Sequence, residues 1–349
     1  MYQKSTNQFL NSPKLRIAVI ADPFIPVPPL NYGGIERIID FLVTGLTEKG
    51  HELVLLAHPE SKVICKHLSY GDQNSIFKHL KNIVKVNQLK AYQPDIIHSF
   101  GRLAYLLPFL QSSTPKIMSY QREPTISQIK KAMKLVKKNT LTFTGCSAYI
   151  SKQIGPYAPS FPIFNGVDLK LYDFQNEVAP DAPLIFLGRI EPIKGTHIAI
   201  EVAKKTNRKL IIAGNIPYEY QSYFDNIIQP SLNDQITYVG AVNDLQKNEL
   251  LGKAAAFLMP IEWNEPFGIV MAEAMACGTP VIGFNRGSVP EVINEKIGFI
   301  CSNLNDMISA ISQLKNINRA QVREHCELNF GSDVIVNKYI DLYKSLILK

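Results

Sequence analysis

The sequence predicts an α/β protein of two similar halves, each built on a parallel sheet, and three observations lead there. Its 349 residues exceed what one compact core usually holds, since domains cluster near ~100 to 200 residues. Short apolar runs alternate with stretches of helical periodicity along most of the chain. One aperiodic stretch rich in Pro and Gly interrupts that rhythm near the middle.

The elements follow in order. LRIAVIAD (15–22) is a short apolar run that ends in Pro-rich sequence, IERIIDFLVTGLTEKG (35–50) spaces apolar groups as a helix does before Gly50, and HELVLLA (51–57) is another buried strand. Strand, loop, helix and strand in this succession are the pattern of a βαβ unit. PDIIHSF (94–100), KIMSY (116–120) and TFTGC (142–146) complete a first α/β domain. GPYAPSFPIFNGVD (155–168), with three prolines and two glycines, reads as an interdomain connection. A second series then starts with LIFLGR (184–189), KLIIAG (209–214), ITYVG (236–240), AAFLMP (255–260) and PVIGF (280–284). The predicted division is a flexible leader over 1–13, a first domain over 14–164, a second over 165–330, and a C-terminal helix over 331–349 able to pack back on the first domain. Ligands of open parallel sheets bind beyond the carboxyl ends of the strands, so the cleft between the halves is the expected active site.

Composition narrows the class. Hydrophobic residues make up 46% and charged residues 19%, which excludes a disordered or collagen-like chain. The net charge of +7 is uneven: residues 1–165 hold 20 basic and 9 acidic side chains, and 166–349 hold 17 and 21. A basic half joined to an acidic half suggests that one part meets an anionic surface or a phosphorylated substrate. Cys65, Cys146, Cys277, Cys301 and Cys326 show no C-x-x-C spacing, so neither a disulfide framework nor a zinc site is encoded. No metal or resident cofactor is expected. Residues 1–14 lack the apolar run of a secretory signal, and no run of about 18 apolar residues occurs, so a cytoplasmic protein is expected.

EWNEPFGIVMAEAMACGTPVIGF (262–284) is the most informative segment: a helix starts near Gly268 and stops at Cys277-Gly278, with Pro280 beyond. At its N-terminus the backbone N–H groups of Phe267, Gly268 and Ile269 suit a phosphate, and Gly268 permits close approach. Glu265, in the loop before this helix, and Glu273, on it, offer carboxylates to sugar hydroxyls, although two such glutamates also fit a solvated surface. In LGRIEPIKG (187–195), Arg189 and Lys194 follow a buried strand; they are either two surface cations or the pair that binds a diphosphate. Gly33-Gly34, ahead of the helix at Ile35, either bring backbone N–H groups to a phosphate or serve a turn.

Together these strings resemble the retaining glycosyltransferases of family four, also called glycosyltransferase group one. Their fold, GT-B, is two Rossmann-like α/β/α domains with parallel sheets facing an interdomain cleft. The likeness is densest over 184–301, where FLGRIEPIKG, IIAGN, YVGAV, PIEWNEPFGIVMAEAMACGTPVIGF and GSVPEVI stand in the family's order. NYGGIER, GHELVLLA, PDIIHS and FNGVD extend it to the first half. The resemblance implies that Arg189 and Lys194 neutralise the diphosphate of a UDP-, GDP- or ADP-sugar, that Glu273 holds the ribose, and that Glu265 contacts the transferred sugar. It further implies that backbone at Phe267, Gly268 and Ile269 meets phosphate and sugar, that Gly33 and Gly34 close from the first domain, and that no divalent ion is needed. Residues 165–168 resemble the family's hinge. The expected reaction is retaining sugar transfer to a glycan or glycolipid in cell-envelope polysaccharide or lipopolysaccharide synthesis.

One departure stands out. Where many members carry a histidine after a first-domain strand, this chain reads SYQREP (119–124), with Gln121 in its place. His98 is the nearest substitute, as a catalytic or acceptor-side group or as a packing residue, and Gln121, Arg122 and Glu123 join it as acceptor-side candidates.

In ISQIKKAMKLVKK (126–138), Ile126, Ile129, Ala132, Met133 and Val136 share one helical face. Lys130, Lys131, Lys134, Lys137 and Lys138 crowd another, as a solvated surface or as a contact with an anionic membrane. A nucleotide-sugar 2-epimerase of the same architecture and a non-catalytic nucleotide-sugar-binding protein are the alternatives. No nucleic-acid module accompanies the lysines, so nucleic acid is not an expected partner, and no G-x-G-x-x-G follows a predicted strand, which disfavours a dehydrogenase.

Overall fold

The computed structural model describes residues 13–29, 33–71, 73 and 77–348. Of the leader expected over 1–13, only Pro13 lies among them. The chain starts with β1 (Arg16–Ile20), α1 (Gly34–Glu48), β2 (Glu52–Ala57), β3 (Lys66–Ser69), α2 (Lys78–Asn87) and β4 (Ile96–Ser99). It continues with β5 (Lys116–Tyr120), α3 (Ile126–Leu135), β6 (Leu141–Gly145), α4 (Ala148–Ile154) and β7 (Ser160–Pro162). The second half runs β8 (Leu184–Leu187), α5 (Thr196–Thr206), β9 (Leu210–Ala213), α6 (Gln221–Tyr223), β10 (Ile236–Tyr238), α7 (Asp244–Lys253) and β11 (Ala256–Met259). There follow α8 (Ile269–Ala276), β12 (Val281–Phe284), α9 (Val289–Val292), β13 (Gly298–Cys301), α10 (Leu304–Gln313), α11 (Arg319–Phe330) and α12 (Ser332–Ile347).

Two all-parallel sheets result, in the orders β3-β2-β1-β4-β5-β6-β7 and β10-β9-β8-β11-β12-β13. Strand order reverses between β1 and β4 in the first and between β8 and β11 in the second. Crevices for ligands open beyond the carboxyl ends of strands at such reversals. Both faces of each sheet are covered, which explains the apolar runs 17–20, 53–57, 184–187 and 256–259, while β4, β5 and β6 also bury polar side chains such as His98, Ser119 and Thr144. Along β1, Ala18 and Ile20 point to a core shared with α2, the turn 103–109 and α3, while Ile17 and Val19 point to a core shared with α1 and α12.

The stretch 155–168 is not connection alone: Ser160–Pro162 pairs parallel to β6 as β7. Pro162 lacks an N–H, and an edge strand is where a sheet tolerates that. The chain passes between the halves at 163–183 and returns at 330–332. The two passages are tied together, because Val167 N–H donates to Phe330 O at 2.8 Å and Ser332 N–H donates to Val167 O at 2.9 Å. Beyond the return, α12 packs on α1, with Val336 so close to Gly45 that a Cβ there would lie 2.7 Å from it.

Candidate functional site

The second sheet's reversal gathers the residues singled out around FLGRIEPIKG and EWNEPFGIVMAEA. Arg189 and Lys194 come from the loop after β8, and Glu265 comes from the loop after β11. Gly195, at φ 75°, follows Lys194 and opens α5, and the Pro260 carbonyl occupies the place a Cβ would need. Only glycine therefore fits where these two loops touch. Lys194 Nζ donates to Glu265 Oε2 at 2.9 Å, and Trp263 Nε1–H donates to the same oxygen at 3.1 Å. The same ammonium stands 4.6 Å from the Trp263 ring centroid. Arg189 Nη2 lies 2.8 Å from Glu191 Oε1 in a contact too poorly aligned for a hydrogen bond, and the guanidinium remains partly open to solvent.

Helix α8 begins behind Gly268, which stands at φ 73° and provides no side-chain cap. The first N–H groups of the helix thus face the loop mouth with a positive dipole end, as an anion requires. Phe267 contributes backbone only. Its ring is buried with Phe164 and Phe330 at centroid distances of 6.1 and 5.7 Å. Ile269 is half-buried at the first helical position.

Glu273 lies one turn into α8 and is almost fully buried. Tyr172 Oη donates to Glu273 Oε1 at 2.8 Å, and Lys247 Nζ donates to the same atom at 2.5 Å. Burial and then the charge of Glu273 drive the Tyr172 phenol far above its usual range, so it remains a donor. Lys247 also meets Asp244 Oδ1 at 3.2 Å, and Asp244 Oδ2 meets Arg37 Nη1 of α1 at 2.5 Å. A chain of charges therefore runs from the first domain, three residues past Gly34, to Glu273. Sequence reasoning missed Arg37, Tyr172, Asp244 and Lys247. NDLQKNELLGK reads as an ordinary polar helix, and nothing in one dimension sets Lys247 against Glu273.

On the first-domain side, Gly33 precedes α1 in extended backbone against Pro29, and Gly34 opens the helix with free space where a Cβ would be. Residues 30–32 of that loop lie outside the described residues. Gln121, Arg122 and Glu123 sit together past the end of β5. Gln121 Oε1 is buried without a partner, Arg122 Nη2 comes within 3.9 Å of Asp22 Oδ2, and Glu123 accepts a 2.9 Å bond from Tyr149 Oη. Asp22, past the end of β1, was not singled out from the sequence. Its Oδ1 is buried without a partner, and burial raises its carboxyl above the usual range against the pull of Arg102, Arg122 and His79. Nearby Glu36 is raised as well, mainly by burial.

His98 requires a correction. It is fully buried, bonded through Nδ1 to Tyr343 Oη at 2.7 Å and through Nε2 to Ser119 Oγ at 2.6 Å. Burial pushes it down to about 3, so it is neutral, with one nitrogen donating and the other accepting. It binds α12 to the first sheet, which is the packing reading of this histidine. Ile129 and Ala132 are buried in the domain core, so the apolar face of α3 is already occupied. Lys130, Lys131 and Lys134 are exposed on it, while Lys137 and Lys138 follow its end.

Two α/β domains, each on a parallel sheet with a reversal of strand order, are the GT-B fold. Residues 172–327 match the family described as "Glycosyl transferases group 1". The chain is 24% identical to spore coat protein SA of Bacillus subtilis (strain 168), over 95% of this chain and 99% of that protein. Among solved structures, AviGT4, a glycosyltransferase involved in avilamycin A biosynthesis, superposes with a TM-score of 0.72 at 25% identity, covering 96% of this chain and 98% of its own. Anabaena Alr3699/HepE in complex with UDP and glucose shares the fold at a TM-score of 0.72 and 16% identity, over 95% of this chain and all of the other. The chain is a glycosyltransferase of GT-B fold, and its second half carries the likeness to group 1.

Proposed function

We propose that this enzyme transfers a sugar, with retention and without a divalent ion, from a UDP-, GDP- or ADP-sugar to a glycan or glycolipid of the cell envelope, on the cytoplasmic side. The observation that carries the reading is the convergence of Arg189, Lys194 and the open N-terminus of α8 at the β8/β11 reversal. These groups supply the positive field in which a diphosphate departs. The bound diphosphate of HepE is a precedent in the same fold.

In the reaction, the C1–O bond breaks with its electron pair going to the phosphate, and Arg189, Lys194 and the α8 N–H groups stabilise the charge that develops there. Glu265, held by Lys194 and Trp263, accepts hydrogen bonds from the sugar, and Glu273, held by Tyr172 and Lys247, accepts them from the ribose. The acceptor hydroxyl attacks C1 from the face the phosphate leaves, and its proton passes to the departing phosphate oxygen. The test incubates the enzyme with EDTA, each nucleotide sugar and candidate glycolipid acceptors, and reads the anomeric configuration by NMR. Retention with activity intact in EDTA is expected. Inversion, or activity abolished by EDTA and restored by a divalent ion, contradicts the proposal.

A further inference from the structure

Beyond the active site, one face of the first domain combines two properties that soluble surfaces seldom combine. Helix α2, the turn 103–109 and α3 pack side by side on the same face of the first sheet. The α2 helix divides into three sectors. Asn82 and Val86 are buried. Leu80 and Val84, four residues apart on one stripe, are 63% and 69% exposed. Lys81 is exposed beside that stripe, and half-buried Lys85 and Lys78 continue from it toward the buried side. Leu107 of the adjoining turn and Leu135 at the end of α3 are also exposed, at 48% and 56%. Between residues 73 and 139 the chain holds twelve Lys and Arg against two acids, Asp95 and Glu123. Asp95 is paired with Arg16, and Glu123 is bonded to Tyr149. Of the twelve cations, Lys78, Lys81, Lys85, Lys130, Lys131 and Lys134 lie on α2 and α3, whereas Lys116 is buried in β5.

We infer that this face docks on an anionic lipid bilayer, with Leu80 and Val84 entering the interface and the α2 and α3 lysines meeting the headgroups. Charge complementarity selects an anionic partner, and exposed aliphatic side chains among flexible lysines suit the lipid interface, as do the exposed aromatics Phe24 and Phe77 at its edge. The position suits the reaction. Lys78 Nζ stands 5.5 Å from the ring of Phe24, an exposed residue in the loop that leads from β1 to the first-domain side of the cleft. A membrane on α2 therefore lies beside the place where a lipid-linked acceptor would enter. The inference deepens the acceptor reading but stands on the surface alone, so vesicle binding and sugar transfer can fail separately.

The test is co-sedimentation of the full chain with phosphatidylcholine vesicles, with and without about one-third phosphatidylglycerol, at about 0.1 M salt. Binding to the anionic vesicles only, weakened by added salt, is expected. Each lysine near the surface is worth about fivefold, so Lys81→Gln/Lys85→Gln lowers binding about 25-fold. Leu80→Ser/Val84→Ser lowers it at least ~10-fold. Circular dichroism and a donor titration followed by the fluorescence of Trp263 confirm that these surface variants are folded. Equal binding to both vesicles, or unchanged binding by both double variants, overturns the inference. So does displacement from vesicles by duplex DNA that the serine variant binds as well as the wild type does, an outcome that assigns the face to nucleic acid.

Discussion

Replacing His98 with Gln separates a structural histidine from a catalytic one, and its pH dependence can be worked from the structure. An unfolded chain titrates this imidazole near pH 6.5, whereas burial holds it at about 3 in the fold. Above pH 6.5 both states are neutral and the group leaves stability unchanged with pH. As pH falls from 6.5 toward 3, only the unfolded chain takes the proton, so stability is lost at about 1.4 kcal/mol per unit, or about 2 kcal/mol by pH 5. Burial lowers His51 and His325 too, so the wild type alone does not isolate His98; the His98→Gln variant keeps their contributions. At pH 7.5 the variant should be about 1–3 kcal/mol less stable, because Tyr343 and Ser119 lose a matched partner in a dry core. Urea unfolding followed by far-UV circular dichroism at pH 7.5 and pH 5 gives the comparison. The wild type should lose about 2 kcal/mol more than the variant across that interval. Equal losses would refute the buried neutral state, and a hundredfold fall in kcat at unchanged stability would return His98 to the chemistry.

Other outcomes follow from the same contacts. Lys247→Met removes the counter-charge of a buried carboxylate; donor KM should rise at least ~10-fold and the melting temperature should fall, since breaking a buried pair costs about 3–5 kcal/mol. Arg37→Ala cuts the charge chain at its first-domain end and should raise donor KM by less than Lys247→Met does, which steady-state kinetics on both variants decides. Gly195→Ala forces a Cβ against the Pro260 carbonyl at positive φ and should cost about 2–4 kcal/mol, read as a drop in melting temperature together with weaker donor binding. Asp22→Asn preserves shape and removes a charge at the first-domain crevice; kcat should fall with donor affinity unchanged, as Trp263 fluorescence will show.

The inner strands were legible because a sheet covered on both faces needs uninterrupted apolar runs, as in LRIAVI and LIFL. The strands that went unread, β3, β7 and β13, are all at sheet edges. An edge strand has one neighbour and partial exposure, so KHLS and SFP carry no comparable run; GFIC is apolar, with Phe299 and Ile300 left partly open at the edge. Helix α8 was legible because Gly268, Gly278 and Pro280 punctuate both its ends. Lys194 and Glu265, 71 residues apart in the chain, are bonded directly to each other. What holds Glu273 was not legible, since Tyr172 and Lys247 reach it across 101 and 26 residues of chain. His98 carried two readings for a physical reason: a strand-end histidine has the same sequence signature whether it faces a cleft or a helix such as α12, and only the tertiary packing decides. The lysine-rich α3 was read correctly as amphipathic, but its apolar face pays for the domain core and leaves the exposed aliphatic stripe to α2.

The central claim is that the donor diphosphate is held between the loop after β8 and the N-terminus of α8. The one tryptophan, Trp263, lies between Lys194 and Glu265 and reports on that place directly. Its fluorescence should respond to the matching nucleotide sugar in the wild type, and Arg189→Ala and Lys194→Ala should each weaken that response and lower kcat/KM by about 100- to 1000-fold, as loss of a charged group at a departing oxyanion does. Wild-type binding and turnover in both variants would contradict the account.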